Sequence, residues 1–326
     1  MSETAPPDLA PLRRYWHPVA LDEELGDEPK AVTVLGEPVV IFRSEGTVRA
    51  FRDLCLHRGA KLSMGRVTED GQIACPYHGF RYDGEGRCTF IPHQPPDHQR
   101  IPSRLRLLKH HAQVRYGVIF VALEDPIAEI APFPEFDDPD YHVFFGFKTA
   151  WNTSAARNME NAMDMTHFPF VHEGSLGDPS MPEAPQFPVH RSDTGITYEF
   201  DWTLPASGGH LGATVHYHYN VTFPFSSRLR IRGEKGWAVI FSTTLPKTAM
   251  TMEKWTFFAR NHSFDEPDET FRKFSWDVFE EDRLIVESQT PEMLPVDLTR
   301  EIHLRTGDAP GLAYRAYLAE IGVDYA

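Results

Sequence analysis

Two short motifs constrain this chain more than anything else in it: Cys55-Leu56-His57 and, after seventeen intervening residues, Cys75-Pro76-Tyr77-His78. Each supplies one soft thiolate sulfur and one borderline imidazole nitrogen from a tight turn, so the two turns can clamp a metal centre from both sides. A [2Fe–2S] cluster in which two His replace two Cys on one iron requires this donor set. Gly59 and Gly79 follow the two His closely, and Gly tolerates the positive φ and close backbone approach of such a clamp. A structural zinc ion also accepts two Cys and two His. Zinc fingers, however, usually keep like ligands together, and both pairs here are mixed, so the iron–sulfur reading is the stronger.

The length of 326 residues suggests about two domains. With 41% hydrophobic residues the chain can bury a proper core. A net charge of −15 argues against nucleic acid, where affinity comes from Lys and Arg neutralising phosphates. An acidic surface could instead steer a basic redox partner. Of three cysteines two are candidate ligands, and Cys88 reads as a small buried residue. This usage fits a reducing cytosol rather than a disulfide-built secreted protein. No N-terminal apolar signal region is visible, and no apolar run approaches the ~18 residues of a membrane span. A soluble cytoplasmic protein is the expectation.

Residues 1–11 are polar and Pro-rich and read as a mobile tail. Tyr15-Trp16-His17-Pro18 opens the fold. Apolar runs at Ala31–Leu35, Val39–Arg43 and Val48–Arg52, separated by Gly36-Glu37-Pro38 and Ser44-Glu45-Gly46, read as antiparallel strands carrying the Cys55 and Cys75 loops. Gln113–Tyr116 and Val118–Leu123 would close that small β-domain. The composition turns Pro- and acid-rich from Pro132 to Tyr141, so the domains are expected at 12–126 and 127–326. The second begins with a β-run, Tyr141–Trp151, then a helical stretch from about Ala155 to Thr166. Five strand-like runs lie between Ile196 and Phe258. A long amphipathic segment, Asp268 to Gln289, and a helix near Ala313–Ile321 complete an α+β arrangement of an antiparallel sheet around a long helix.

A second candidate metal site lies in the helical stretch. Asp164 and His167, three apart, are neighbours on one helix face. His167 and His172, five apart, would diverge on a continuous helix, but Pro169 cannot occupy a regular helix interior and turns the chain. The two imidazoles can then converge on one ion. A facial triad needs two His and one carboxylate, leaving positions open for O2 and substrate. On the late helix the apolar stripe runs Phe271, Phe274, Val278, Ile285, and Asp282 falls near its middle. Asp277, Glu280 and Glu287 point elsewhere, and Glu281 lies at the margin. A carboxylate on a buried face is costly unless paired or metal-bound; a buried salt bridge is the alternative.

The run from Cys55 to Cys88, CLHRGAKLSMG…CPYHGFRYDGEGRC, resembles the Rieske domain of the non-haem iron aromatic-ring-hydroxylating oxygenases. Rieske ferredoxins share the ligand spacing, so this run alone leaves an electron carrier open as well as an oxygenase. Phe80 stands where the family most often has Trp. Asp164, His167 and His172 match the family's Asp-x-x-His-x-x-x-x-His position by position, and FEEDRLIVESQTP (Phe279 to Pro291) looks like the segment bearing its third ligand. The pieces RYG (Arg115–Gly117), FPEFDDPDYH (Phe133–His142), THFPFVHEGSLGD (Thr166–Asp178) and EED…SQTP are similar to those of the saxitoxin-tailoring Rieske hydroxylases. Many members keep an Asn four residues before the bridging Asp; Asn161 precedes Asp164 by three, so that role is not carried over.

The resemblance implies an oxygenase (alpha) component. A Rieske cluster on Cys55, His57, Cys75 and His78 would relay electrons to a mononuclear Fe(II) on His167, His172 and Asp282. O2 would be activated there to hydroxylate an apolar or aromatic small molecule; O- or N-demethylation and cis-dihydroxylation would use the same site. No G-x-G-x-x-G follows a strand. NAD(P)H would therefore serve only through a separate reductase, directly or through a ferredoxin. The resemblance also implies a head-to-tail homotrimer, with Asp164 bridging His167 to a cluster His of the neighbouring chain.

Overall fold

The computed structural model describes residues 9–205 and 213–326. Most of the Pro-rich tail expected at 1–11 lies outside them. The chain divides into two compact units, one spanning Leu12–Ile130 and the other including Ala131–Ala326.

The first unit is all β. Strands β1 (His17–Leu21), β2 (Lys30–Val34), β3 (Glu37–Ser44) and β4 (Thr47–Arg52) precede four very short ones: β5 (Arg66–Val67), β6 (Ile73–Ala74), β7 (Arg81–Tyr82) and β8 (Cys88–Phe90). β9 (Lys109–Arg115) and β10 (Val118–Ala122) return to the main sheet. That sheet has six strands in the order β1-β10-β9-β4-β3-β2, and β5 to β8 form a separate four-stranded sheet. The hairpins turn on Leu35-Gly36, Glu45-Gly46 and Tyr116-Gly117, every residue with positive φ, as a two-residue turn matched to strand twist requires. Pro38 therefore lies inside β3 rather than in the turn expected at Gly36-Glu37-Pro38. Phe42, Phe51, Tyr82 and Leu107 pack with Cys55 and Cys75 in one buried cluster, so the small sheet is anchored on the core of the large one.

The second unit starts with β11 (His142–Trp151), followed by helices α1 (Ala155–Met163) and α2 (Phe168–Val171). Then come β12 (His190–Arg191), β13 (Gly195–Thr203), β14 (Thr214–Thr222), β15 (Ser226–Gly233), β16 (Gly236–Thr248) and β17 (Thr251–Arg260). Helices α3 (Asp268–Val286) and α4 (Ala309–Glu320) complete it. The sheet is antiparallel throughout, in the order β11-β17-β16-β15-β14-β13-β12. Helix α1 starts where Ser154 Oγ accepts from the Arg157 amide at 3.2 Å, an N-cap that satisfies one orphan donor. Arg157 donates to Glu301 and Arg315 to Glu160, both at 2.6 Å, tying α1 to α4 and the segment before it. All-β domain followed by α+β domain is the fold class the sequence implies.

Two expectations are corrected. Helix α1 ends at Met163, not near Thr166, because Asp164 Oδ1 accepts from the Thr166 amide at 2.8 Å and from Thr166 Oγ1 at 2.7 Å. This local side-chain turn competes with the helix, and Asp164 is extended (φ −87°, ψ 141°). Pro169 does not break a helix either; it sits in the first turn of α2, where its missing N–H costs nothing. The two His instead flank the single turn of α2, His167 at its N-cap and His172 at its C-cap, and the Asp164–Thr166 turn sets where that helix starts.

Candidate active site

The two cluster loops close in the same way. The Cys55 amide donates to Ala60 O at 2.8 Å and the Gly59 amide to Cys55 O at 2.9 Å; the Cys75 amide donates to Phe80 O at 2.8 Å and the Gly79 amide to Cys75 O at 3.0 Å. Gly59 and Gly79 have φ of 71° and 69°, left-handed values that a side chain would strain. The thiols are buried, and the His57 and His78 Nδ1 atoms approach to 3.2 Å. Cys55 Sγ lies 3.3 Å from the Tyr82 hydroxyl. Phe80 stacks on His57, with centroids 4.7 Å apart and planes at 7°, so the residue that departs from the family pattern supports a candidate ligand. Two sulfurs inside and two facing imidazole nitrogens outside fit the donor set of a mixed-ligand cluster.

In the second unit, Tyr198 donates from its hydroxyl to Met163 O at 2.7 Å, fixing the end of α1. The Trp202 indole donates to Leu176 O at 2.7 Å, fixing the loop after His172. Between these anchors His167 Nε2, His172 Nε2 and Asp282 Oδ1 form a triangle with sides of 3.2, 3.2 and 3.1 Å. With metal–ligand bonds of about 2.1 Å, adjacent ligands of an octahedron lie about 3.0 Å apart, so one ion fits all three as a face. Asp282 is buried, and its Oδ1 faces the two imidazole Nε2 atoms, a position that is costly for a carboxylate unless it is paired or metal-bound. Burial would lower the His167 pKa, but Asp164 and Asp282 outweigh it and push it up to about 9. Burial would raise Asp282, but His167 and His172 hold it well below the usual carboxylate range.

The outward nitrogens are equally committed. His167 Nδ1 donates to Asp164 Oδ2 at 3.0 Å and His172 Nδ1 to Glu281 Oε2 at 2.7 Å. Because carboxylates only accept, both Nε2 atoms present lone pairs to the triangle. Sequence reasoning placed Glu281 at the margin of its helix and gave it no role; half-exposure conceals its hydrogen bond. The stripe on α3 also needs correction. Its buried residues are Ser275, Asp282 and Val286, while Phe274 and Ile285 are exposed because they line cavities rather than packed core. Asp277 pairs with Lys273 at 2.6 Å, away from the triangle.

The triangle opens on a cavity of about 120 Å³. Its walls are mostly apolar, including Phe168, Leu229, Ile240 and Phe279, with Tyr217 and Lys254 among them. Asn161, set aside on spacing, also lines it. A second cavity of about 350 Å³ lies on the other side of Asp164 and His167, lined by Glu160, Ile285 and Ile302 among others.

A clamp of two Cys and two His in an all-β unit, and a facial two-His-one-carboxylate triangle in an α+β unit, define a class: oxygenases that pair an iron–sulfur cluster with a mononuclear iron. The family models agree. Residues 15–112 match the Rieske [2Fe-2S] domain, and residues 151–323 match the vanillate O-demethylase oxygenase C-terminal domain. The chain belongs to the Rieske non-haem iron oxygenase components. Methylxanthine N1-demethylase NdmA of Pseudomonas putida is 31% identical over 320 residues, covering 95% of this chain and 89% of its own. Methylxanthine N3-demethylase NdmB of the same species is 31% identical over 330 residues, covering 97% and 91%. The solved structure of NdmA with caffeine is similar at a TM-score of 0.84 and 30% identity, over 96% of this chain and 90% of that one. The family uses a Rieske [2Fe–2S] cluster and a mononuclear iron and takes electrons from a separate reductase or ferredoxin. No described helix is long and apolar enough to cross a membrane.

Proposed function

We propose that Cys55, His57, Cys75 and His78 hold the Rieske cluster and that His167, His172 and Asp282 hold the mononuclear iron. On this reading the chain inserts one oxygen atom into a C–H bond of a small aromatic or heteroaromatic molecule, and the bond belongs to an N- or O-methyl group. The observation that carries it is the triangle of His167, His172 and Asp282 at one wall of an apolar cavity. Full-length similarity to N-demethylases of methylxanthines supports the methyl group as target. A Rieske electron carrier with an idle second unit would have no use for three convergent ligand atoms.

Activation of O2 is the chemistry that a ferrous ion supplies in a two-His-one-carboxylate site. The chain's own residues do the rest. Asp164 and Glu281 hold protons on the two Nδ1 atoms, so the Nε2 atoms stay available. Phe168, Leu229, Ile240 and Phe279 exclude water and position the methyl group. The balance is R–X–CH3 + O2 + 2 e− + 2 H+ → R–XH + CH2O + H2O, since a hydroxylated N- or O-methyl group collapses to formaldehyde.

A homotrimer closed head to tail is part of this proposal. Next to His57 and His78 in the chain the exposed residues include Leu56 and Tyr77, and the cavity beside Asp164 exposes Ile285 and Ile302. Apolar patches at a redox tip and at the outer side of a metal ligand suit mutual burial between copies. Asp164, already bonded to His167, would carry the link. Three buried, unpaired cysteines suit a reducing cytoplasm.

The test is turnover of the iron-loaded chain with a surrogate reductase and NADH under ¹⁸O2, across methylxanthines and aryl methyl ethers. Formaldehyde in step with demethylated product is expected. A hydroxylated product that keeps its methyl group would overturn the demethylase reading, and NADH-dependent cluster reduction with no product from any compound would overturn the oxygenase assignment.

A further inference from the structure

Lys254 stands in β17 with its side chain on the cavity wall opposite a helix that carries Phe279 and Asp282. It is 3% exposed. Its Nζ lies 4.1 Å over the Phe279 ring, and its ammonium has no hydrogen bond or ion pair among the described residues. The neighbouring bases of the sheet differ: Lys148 and Lys247 both pair with Glu253, at 3.4 and 2.7 Å, and Arg260 pairs with Asp268 at 2.9 Å. The acid acting on Lys254, Asp282, is a corner of the metal triangle. Burial lowers its pKa to about 8 against the pull of Asp282.

A buried cation is tolerated where a partner arrives to neutralise it. An aromatic face compensates an ammonium only in part, and a Met would fill the same space without the charge. Lys254 lines the same cavity as His167, His172 and Asp282, so a partner reaching it from solvent occupies the substrate's place. We infer that Lys254 is a specificity residue that pairs with an anionic oxygen, such as a carboxylate, on the substrate, so that the substrate is a compact aromatic acid. Resting on the oxygenase reading above, this narrows its substrate class: the acid group lies at Lys254 and the ring against Leu229, Ile240 and Phe279. The contact is made in the ground state, so it acts mainly on binding.

The test is calorimetric titration of the iron-loaded protein with benzoate, 4-methoxybenzoate and phenylacetate, each beside its neutral amide. The wild type, Lys254→Met and Lys254→Arg are compared, with the Rieske EPR signal and thermal midpoint as folding controls. The wild type should bind at least one acid about tenfold or more tighter than its amide, the size of one charge-assisted hydrogen bond. Lys254→Met should abolish that preference while leaving the EPR signal intact and the midpoint equal or higher. Equal affinity for acids and amides in the wild type, or no binding of any acid, would overturn the inference. So would an acid preference that survives Lys254→Met, since the carboxylate would then be held by the metal. Binding is read without turnover: loss of acid preference alongside demethylation of neutral compounds defeats this inference alone. Intact acid preference without any product defeats only the reading it rests on.

Discussion

His172 Nδ1 donates to Glu281 Oε2 across 2.7 Å, and this contact decides which nitrogen of His172 faces Asp282. The adjacent Asp282 places a buried oxygen 3.1 Å from His172 Nε2 while Glu281 reaches around the outside, so two consecutive acids contact one imidazole. Glu281→Ala should lower affinity for the mononuclear iron by about 10- to 100-fold, the usual cost of losing such an orienting carboxylate. The Rieske absorbance should persist. Metal titration of the apo second site, followed by iron analysis, checks this; unchanged affinity would leave Glu281 as a surface acid.

The cluster loops carry a separate expectation. His78→Cys should remove the Rieske EPR signal and leave, at most, a cluster of lower potential, because His ligation raises the potential. The mononuclear site lies in the other unit and should still take iron. An unchanged Rieske spectrum would contradict the assignment of His78.

Asp164→Asn addresses the proposed ring. The amide keeps the size of the side chain, but its single oxygen can accept from Thr166 or from His167 and not from both, and the charge beside His167 is lost. The trimer, cluster and third iron should remain by light scattering and metal analysis. Single-turnover oxidation of the reduced cluster, with substrate and O2 present, should slow by orders of magnitude. Near-normal kinetics, or a fully active monomer, would show that electrons take another route.

His17 sets a pH limit on the first unit. It is fully buried, and burial lowers its pKa to about 4 despite a 2.9 Å contact between Nε2 and Leu12 O. Below its ordinary value near 6.5 the unfolded chain takes up a proton that the folded chain refuses. Its contribution is therefore complete above that value and is lost as pH falls towards 4. The expected loss is about 2 kcal/mol at pH 5 relative to pH 7.5. Denaturant unfolding followed by cluster absorbance should show that the gap between wild type and His17→Gln shrinks by this amount at pH 5. A pH-independent gap would show that His17 ionises alike in both states.

Legibility in the sequence followed chemical specificity. The mixed Cys/His pairs pointed to a cluster because few centres accept that donor set, and Asp282, which the structure brings beside His167 and His172, stood out because a charge on an apolar helix face needs a reason. The same stripe misplaced Phe274 and Ile285, since hydrophobic periodicity does not distinguish a residue facing a cavity from one in packed core. The expected route from Asp164 to His167 along a helix face was wrong although the contact is real: an Asx turn made it instead, and local side-chain competition is hard to weigh against helix propensity. Strands β5 to β8, mostly two residues long, are too short to show a period. Lys254 in KWTFFA reads as one polar position in an alternating strand, and only the sheet's packing against α3 places it on the cavity wall.

The measurement that bears most directly on the central assignment is an anomalous difference map, collected at the iron edge from crystals of the iron-loaded protein. The account predicts one peak bonded to His167 Nε2, His172 Nε2 and Asp282 Oδ1. It predicts a second, two-iron peak between the Cys55–His57 and Cys75–His78 loops. An empty triangle beside an occupied cluster, or iron held by Glu281 or Asp277 in place of Asp282, would contradict it.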